Sequence, residues 1–263
     1  MTSYRLAVVG GGNMGAALVG GLLHGDWRPT DLAVVELSAA RAAQLGEMFP
    51  GVAVATEVPS CDAALIAVKP NDVPGACAAA ARAGATRILS IAAGISVEAL
   101  QEAAGPDVVI VRSMPNTPAL VGEGAAAICG GATAEEADLA WAESILGSVG
   151  IVVRVPESQL DAVTGLAGSG PAYLFLVAEA LTDAGVLAGL SRANAEQLVH
   201  QLFVGSAKLL AENGNPAQLR ANVTSPGGTT AAGLRVLEEH AVRSAFLEAV
   251  MAAAARGAEL GKR

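Results

Sequence analysis

The sequence predicts an α/β fold in which a doubly wound, mostly parallel sheet is followed by an all-helical domain. Short apolar runs alternate with helical stretches as far as residue 155, and this alternation is typical of a parallel sheet covered by helices. Beyond that point the apolar residues keep only the helical period. The change of pattern predicts two domains, residues 1–157 and residues 158–263.

The composition excludes several classes of partner. A net charge of −9 and a pI near 4.8 leave no basic stripe for nucleic acid or for an anionic membrane surface. Cys61, Cys77 and Cys129 show no paired spacing, which predicts small core residues in a reducing compartment and no metal site. No signal-peptide pattern precedes the first apolar run, so we expect a cytoplasmic location. The most apolar window, residues 171–190, carries two carboxylates, which favours a buried helix over a membrane span.

The first predicted strand, residues 5–9, leads into a glycine turn and a helix. Its glycines match the pattern GxGxxG, which permits a tight turn, close approach of a pyrophosphate and close packing of helix on strand. The next apolar run, residues 32–35, ends in Glu36, near the acidic position expected about 20 residues after such a turn. Together these features predict a dinucleotide site in preference to an unliganded turn. The turn supplies the predicted cofactor contacts Gly10, Gly12, Asn13, Met14 and Gly15.

Further apolar runs continue the predicted sheet at residues 63–68, 87–92, 108–111, 125–129 and 151–155. Ligands of open parallel sheets bind beyond the carboxyl ends of the strands, so the residues that follow each run are candidates. The predicted cofactor contacts of this kind are Val68, Lys69, Pro70, Ala93, Gly94 and Asn116. Prolines on both sides of Asn116 and its neighbour fix the backbone there. For Lys69, a solvated lysine and a cofactor contact are equally open.

The second half of the chain predicts helices over residues 159–166, 171–187, 192–212, 216–221, 229–239 and 241–260. Several are apolar around most of their circumference, which requires burial on more than one side. A domain of roughly 100 residues supplies too little core of its own for this purpose. We therefore expect the helical domain to interlock with a second subunit.

Residues 223–230, Val-Thr-Ser-Pro-Gly-Gly-Thr-Thr, interrupt these helices. In one interpretation Ser225 is an N-cap and Pro226 the first helical residue. Two glycines in a first helical turn cost roughly 1 kcal/mol each relative to alanine, so that interpretation leaves Gly227 and Gly228 unexplained. In the other interpretation a ligand approaches this backbone closely, because a helix N-terminus without side chains can seat a carboxylate or phosphate.

Seven short segments of the sequence, in their order and spacing, resemble those of pyrroline-5-carboxylate reductase, a family that reduces a cyclic imine with a nicotinamide cofactor to complete proline synthesis. The resemblance spans nearly the whole chain, at residues 10–15, 67–70, 114–118, 168–173, 223–230, 233–234 and 237–238. It implies an N-terminal Rossmann domain, a C-terminal helical domain that forms an intertwined homodimer, and often an assembly of five dimers. It also implies that the imino-acid substrate lies where one subunit's helical domain meets the cofactor crevice.

This chemistry needs a polar partner for the ring nitrogen and an anion seat for the substrate carboxylate. By resemblance Thr230 contacts the imine nitrogen, and helical geometry places it on one face with Leu234 and Leu237. A threonine hydroxyl does not ionise near neutrality, so we expect it to orient and polarise the imine. The substrate-binding residues predicted around this helix start are Ser225, Gly227, Gly228, Thr229 and Thr230.

The cofactor is NADP or NAD, and the end of the second strand bears on the choice. A carboxylate there can bind both ribose hydroxyls of NADH and repels the 2′-phosphate of NADPH, so Glu36 favours NAD. Ser38 and Arg41 follow on the chain and can contact NADPH if Glu36 turns outward.

Two other functions fit parts of the sequence. A β-hydroxyacid dehydrogenase also joins a Rossmann domain to helices, but that family uses a lysine after a glycine-rich helix start, and residues 168–179 contain none. A non-catalytic dinucleotide-binding redox sensor would not need residues 115–118 and 225–230 intact.

Overall fold

The computed structural model describes residues 3–261. Residues 1–2 of the first predicted domain and residues 262–263 of the second therefore lie outside it. Its contacts divide the chain into two compact units. The first unit contains the residues up to Ser169 together with those from Met251 on, and the second contains Gly170–Val250. The strands of the first unit are β1 Leu6–Val9, β2 Leu32–Val35, β3 Ala53–Ala55, β4 Ala63–Ile66, β5 Arg87–Ser90, β6 Val109–Met114, β7 Gly124–Gly130 and β8 Gly150–Arg154.

The eight strands form one sheet in the order β3-β2-β1-β4-β5-β6-β7-β8. All neighbouring strands are parallel except β6 and β7, which confirms the predicted doubly wound, mostly parallel sheet. The helices that accompany it are α1 Asn13–His24, α2 Ala39–Met48, α3 Val73–Arg82, α4 Val97–Ala104, α5 Glu136–Leu146 and α6 Leu160–Val163. The sequence reading missed β3, because three residues are too few to show an alternating pattern.

The central strands are buried on both faces. Leu6 and Val8 of β1 pack into one apolar cluster with α1 and α5, whereas Ala7 and Val9 pack into a second cluster with α3 and α4. Strands that are covered by helices on both sides have no solvated face, which is why they read as continuous apolar runs. Their ends are the places where polar groups can gather.

A segment of mixed helix type joins the sheet to the second unit. Residues Glu157–Gln159 form a 3₁₀ turn, α6 follows, and Thr164–Gly168 form a π-helical turn. The N–H of Ser169 donates to the carbonyl of Thr164 at 2.8 Å, which is the i to i+5 spacing of a π-turn. The regular helix predicted over residues 159–166 is therefore interrupted.

The remaining helices are α7 Gly170–Leu187, α8 Arg192–Asn213, α9 Pro216–Asn222, α10 Thr229–Glu239 and α11 Val242–Leu260, whose last part belongs to the first unit. Many large apolar side chains of the second unit are exposed: Phe175 is 64% exposed, Leu187 90% and Leu247 70%. The stretch Glu157–Leu187 is long and apolar enough to cross a membrane by length and composition, and an 18-residue window of it has a mean hydropathy of 1.3 and is 11% buried. The sequence predicts that these apolar faces are buried against a second subunit, and in a single chain they are exposed.

The three cysteines are buried and unpaired, as predicted. Burial raises the pKa of each thiol to about 11, so almost no thiolate exists near neutral pH. We expect the native protein to react with Ellman's reagent very slowly, and the protein unfolded in guanidinium to release three equivalents of thionitrobenzoate. Rapid reaction of a native thiol would contradict this burial.

Candidate functional site

A cleft of about 870 Å³ opens at the carboxyl ends of β1, β2 and β4. The strand order reverses between β1 and β4, and ligands of doubly wound sheets bind at such a switch point. Five of the residues predicted to bind the cofactor line this cleft: Gly10, Gly12, Glu36, Val68 and Lys69. The arrangement fits a dinucleotide, whose phosphates would face the N-terminus of α1.

The three glycines of the GxGxxG pattern have different reasons to lack a side chain. Gly10 has a φ of 110°, and a Cβ there would lie 2.5 Å from the carbonyl oxygen of Ala67. A Cβ on Gly15 would lie 2.1 Å from the carbonyl oxygen of Gly10, so Gly15 allows α1 to pack against the turn. A Cβ on Gly12 would meet no atom within 4 Å. The protein itself therefore does not demand a glycine at position 12, which is what a close approach of a ligand to this backbone predicts.

The carboxylate of Glu36 is held by the backbone of the cleft. Its Oε1 accepts a hydrogen bond from the Ser38 N–H at 2.8 Å, and its Oε2 accepts one from the Gly11 N–H at 3.2 Å. Both bonds keep the charge in the cleft, next to the glycine turn. Ser38 caps α2 with its hydroxyl, which accepts from the Arg41 N–H at 3.4 Å.

Arg41 points away from this cleft. Its Nε donates to the carbonyl of Gly11 at 2.7 Å and its Nη1 donates to Gln44 at 3.1 Å. The side chain lines a separate groove along α1, together with Asn13. In this conformation two of the guanidinium nitrogens are engaged by the protein.

Sequence reasoning missed a group of cleft residues because it missed β3. Thr56, Glu57 and Val58, which follow that strand, line the cleft, as do Asp72 and Arg82 around α3. The signal that was available is topological, since a doubly wound sheet places a third strand beside the second after the intervening helix.

The other predicted cofactor residues lie around the same edge of the sheet without lining the cleft. Ala93 and Gly94 line a cavity of about 200 Å³ beside the π-turn and the end of α11. The Met14 side chain is partly buried against the apolar core. Pro70 begins a 3₁₀ turn after β4.

The Asn116 side chain forms two hydrogen bonds with the backbone of the first unit. Its Oδ1 accepts from the Ala125 N–H at 2.8 Å, and its Nδ2 donates to the carbonyl of Ala167 at 3.1 Å. The amide links the chain after β6 to the start of β7 and to the π-turn. The Oδ1 keeps a second lone pair and the Nδ2 a second hydrogen, so the two bonds orient the amide and still allow it to contact a cofactor.

In the second unit, the predicted substrate residues form a turn followed by a helix. The Gly228 N–H donates to the Ser225 carbonyl at 3.0 Å, and Gly227 has a φ of 68°. Proline followed by a glycine of positive φ is the pattern of a type II turn, which explains Gly227 without a ligand. A Cβ on Gly228 would lie 2.3 Å from Ser225 Oγ, so a side chain there would require the Ser225 hydroxyl to turn away.

This geometry corrects the capping interpretation. The N-cap of α10 is Gly228 and not Ser225, and the helix begins at Thr229, so Pro226 is a turn residue. No side chain caps the helix. The first intrahelical bond runs from the Ala232 N–H to the Gly228 carbonyl, which leaves the N–H groups of residues 229–231 without an intrahelical acceptor. The N–H groups without an intrahelical acceptor are therefore those of residues 229–231, slightly later in the chain than the anion seat that the sequence predicts.

Thr230 and Thr229 face different ways on this helix. Thr230 is half-buried together with Leu234, whereas Thr229 is exposed. The distinction drawn from helical geometry is therefore seen within a single chain. Leu237, predicted on the same face, is 51% exposed.

Comparison with known proteins finds family models that match the two parts of the chain separately. Residues 157–260 match the family model for pyrroline-5-carboxylate reductase dimerisation, and residues 5–94 match that for coenzyme F420-dependent NADP oxidoreductase. A pyrroline-5-carboxylate reductase of Synechocystis sp. is 44% identical over 99% of this chain and 100% of its own length.

Two solved structures are similar along their whole length. The pyrroline-5-carboxylate reductase of Coxiella burnetii has a TM-score of 0.92 at 34% identity and covers 100% of both chains. The pyrroline carboxylate reductase of Plasmodium falciparum, solved with NADP bound, has a TM-score of 0.84 at 31% identity and covers 99% of both chains.

The open space at Gly12 makes a testable prediction. Gly12→Ala should fold normally, because the backbone there is extended and the new methyl meets no protein atom. We expect it to weaken dinucleotide binding about tenfold, since the methyl displaces the pyrophosphate from the backbone. Gly46→Ala is the matched control, because Gly46 on α2 is also free of contacts but lies outside the cleft. Calorimetric titration with the dinucleotide measures both, and equal affinities would contradict a cofactor at the turn.

Proposed function

The chain belongs to the pyrroline-5-carboxylate reductase family, and we propose that it transfers a hydride from a nicotinamide dinucleotide to 1-pyrroline-5-carboxylate to give L-proline. The observation that carries the proposal is the combination of a dinucleotide cleft in the first unit with an uncapped helix start bearing Thr230 in the second. Relatives that match both halves of the chain favour this reaction over a β-hydroxyacid dehydrogenase or a redox sensor.

We propose that the start of α10 binds the substrate. Three N–H groups, at residues 229–231, have no intrahelical acceptor, and the positive end of the helix dipole favours a carboxylate there. The turn at residues 225–228 presents this end without a capping side chain. The Thr230 hydroxyl then serves as the hydrogen-bond partner of the imine nitrogen.

The proposed catalytic contribution of Thr230 is orientation. A threonine hydroxyl remains protonated near neutral pH, so it can donate to or accept from the ring nitrogen but cannot act as a strong acid. The proton that the product nitrogen acquires comes from the protonated imine or from water. Most of the rate enhancement is expected from holding the imine carbon against C4 of the nicotinamide.

We propose that the protein prefers NADH. The Glu36 carboxylate lies in the cleft, fixed by two backbone N–H groups, and it can accept from the ribose hydroxyls. The same charge repels a 2′-phosphate, and the Arg41 guanidinium that could offset it is bonded to Gly11 and Gln44. Binding of NADPH would require Glu36 to leave its two donors.

The match of residues 157–260 to a dimerisation model accounts for the exposed apolar helices of the second unit, so the protein forms a homodimer through this region. We further propose an assembly of five such dimers, a cytoplasmic location, and functional domains that divide at residues 157–158. The size of the assembly can be measured by light scattering after gel filtration.

The role of Thr230 is tested with Thr230→Ala and Thr230→Ser. Removal of the hydroxyl should lower kcat for imine reduction by about 10- to 100-fold, the effect of one lost hydrogen bond to a reacting group. The serine variant keeps the hydroxyl and should retain most of the activity. Affinity for NADH should be unchanged in both variants. Loss of folding or of NADH binding in the alanine variant would assign Thr230 a structural role.

The cofactor preference is tested with Glu36→Gln. The wild-type protein should have a higher kcat/KM with NADH than with NADPH, and removal of the charge should shift that ratio about tenfold towards NADPH. Glu47→Gln, which removes an equal charge from an exposed position on α2, should leave the ratio unchanged. A wild-type kcat/KM several-fold higher with NADPH would overturn the proposed preference.

A further inference from the structure

The loop that joins β5 to α4, residues 91–96, lies on the side of the switch point opposite to Glu36. In a doubly wound sheet the two halves of a dinucleotide bind on opposite sides of that point. Since an acidic residue after β2 belongs to the adenosine half, this loop belongs to the nicotinamide half. It carries Ala93 and Gly94, and Gly94 adopts a φ of 76°.

The end of this loop is fixed by a carboxylate from a distant part of the chain. The Val97 N–H donates to Oε1 of Glu157 at 2.7 Å. Val97 is the first residue of α4, so its N–H has no intrahelical acceptor and needs an outside partner. The Ser96 hydroxyl satisfies a different donor, the Ala99 N–H, at 3.1 Å. Glu157 thus completes the capping of α4 at the point where the loop ends.

The same Glu157 oxygen also accepts from Arg112 Nη1 at 2.8 Å. Arg112 lies on β6, and its side chain is only 10% exposed. A guanidinium that is buried to this extent requires an anionic partner, so the pair fixes Glu157 on the sheet. The carboxylate therefore joins three parts of the first unit: the β5–α4 loop, strand β6 and the beginning of the segment that continues into α7.

We propose that Glu157 is a positioning residue for the nicotinamide half of the cofactor. It touches neither cofactor nor substrate. Its carboxylate holds the β5–α4 loop, through the Val97 N–H, in the conformation that receives the nicotinamide. The inference rests on the proposed function for the identity of the cofactor, but its test does not need turnover.

The decisive variant is Val97→Pro, which removes the N–H that Glu157 accepts and puts the proline Cδ in its place, so the carboxylate has to release the loop. Proline suits the first position of a helix, and Ser96 before it already has the extended conformation, with a ψ of 158°, that a following proline requires. Val97→Ala is the matched control, because it removes more of the side chain but keeps the N–H. Glu157→Gln is a second route to the same effect, since it weakens the hold on both Val97 and Arg112.

The measurement is the calorimetric dissociation constant of two probes, NADH and ADP-ribose, which lacks the nicotinamide. We expect Val97→Pro and Glu157→Gln to weaken NADH binding about fivefold to tenfold and to leave ADP-ribose binding unchanged, whereas Val97→Ala should behave as wild type. A general loss of structure would weaken both probes. Equal weakening of both, or unchanged NADH affinity in the proline variant, would overturn the proposal. A failure to observe imine reduction would overturn the proposed function, whereas the role of Glu157 is decided by the two dissociation constants alone.

Discussion

The central strands of the sheet are buried on both faces, and this burial limits where chemistry can occur in the first unit. Helices cover the sheet on both sides, so free polar groups gather at the carboxyl ends of the strands. At these ends, a cleft that contains Gly12 and Glu36 lies where the strand order reverses, between β1 and β4. The polar links of Glu157 and Asn116 hold the neighbouring loops to the same edge of the sheet.

Much of this arrangement could be predicted from the sequence, because apolar periodicity and a glycine pattern have direct physical causes. The alternation of runs predicted every strand except β3, whose three residues carry no period. Of the two interpretations of residues 223–230, the one that makes Ser225 a helix cap was wrong for a different reason. A proline-glycine pair is compatible both with the first turn of a capped helix and with a type II turn. The φ of 68° at Gly227 shows that the chain forms the turn. Side-chain hydrogen bonds between distant residues, such as Arg112 to Glu157, leave no local pattern at all.

The second unit shows what a single chain cannot supply. Its helices expose large apolar side chains, and by length and composition alone the stretch that enters α7 resembles a membrane span. The match to a dimerisation region gives the physical alternative, in which a second copy covers these faces. Burial by a partner explains why helices that are apolar around most of their surface are present in a protein with so little core in this unit.

We propose that the uncapped start of α10 binds the substrate while the cleft binds the cofactor. A crystal structure of the protein with oxidised dinucleotide and L-proline tests it most directly. We expect the proline carboxylate on the N–H groups of residues 229–231, with the ring nitrogen within hydrogen-bonding distance of Thr230 Oγ1. A carboxylate bound elsewhere, or a Thr230 hydroxyl turned away from the ring nitrogen, would contradict it.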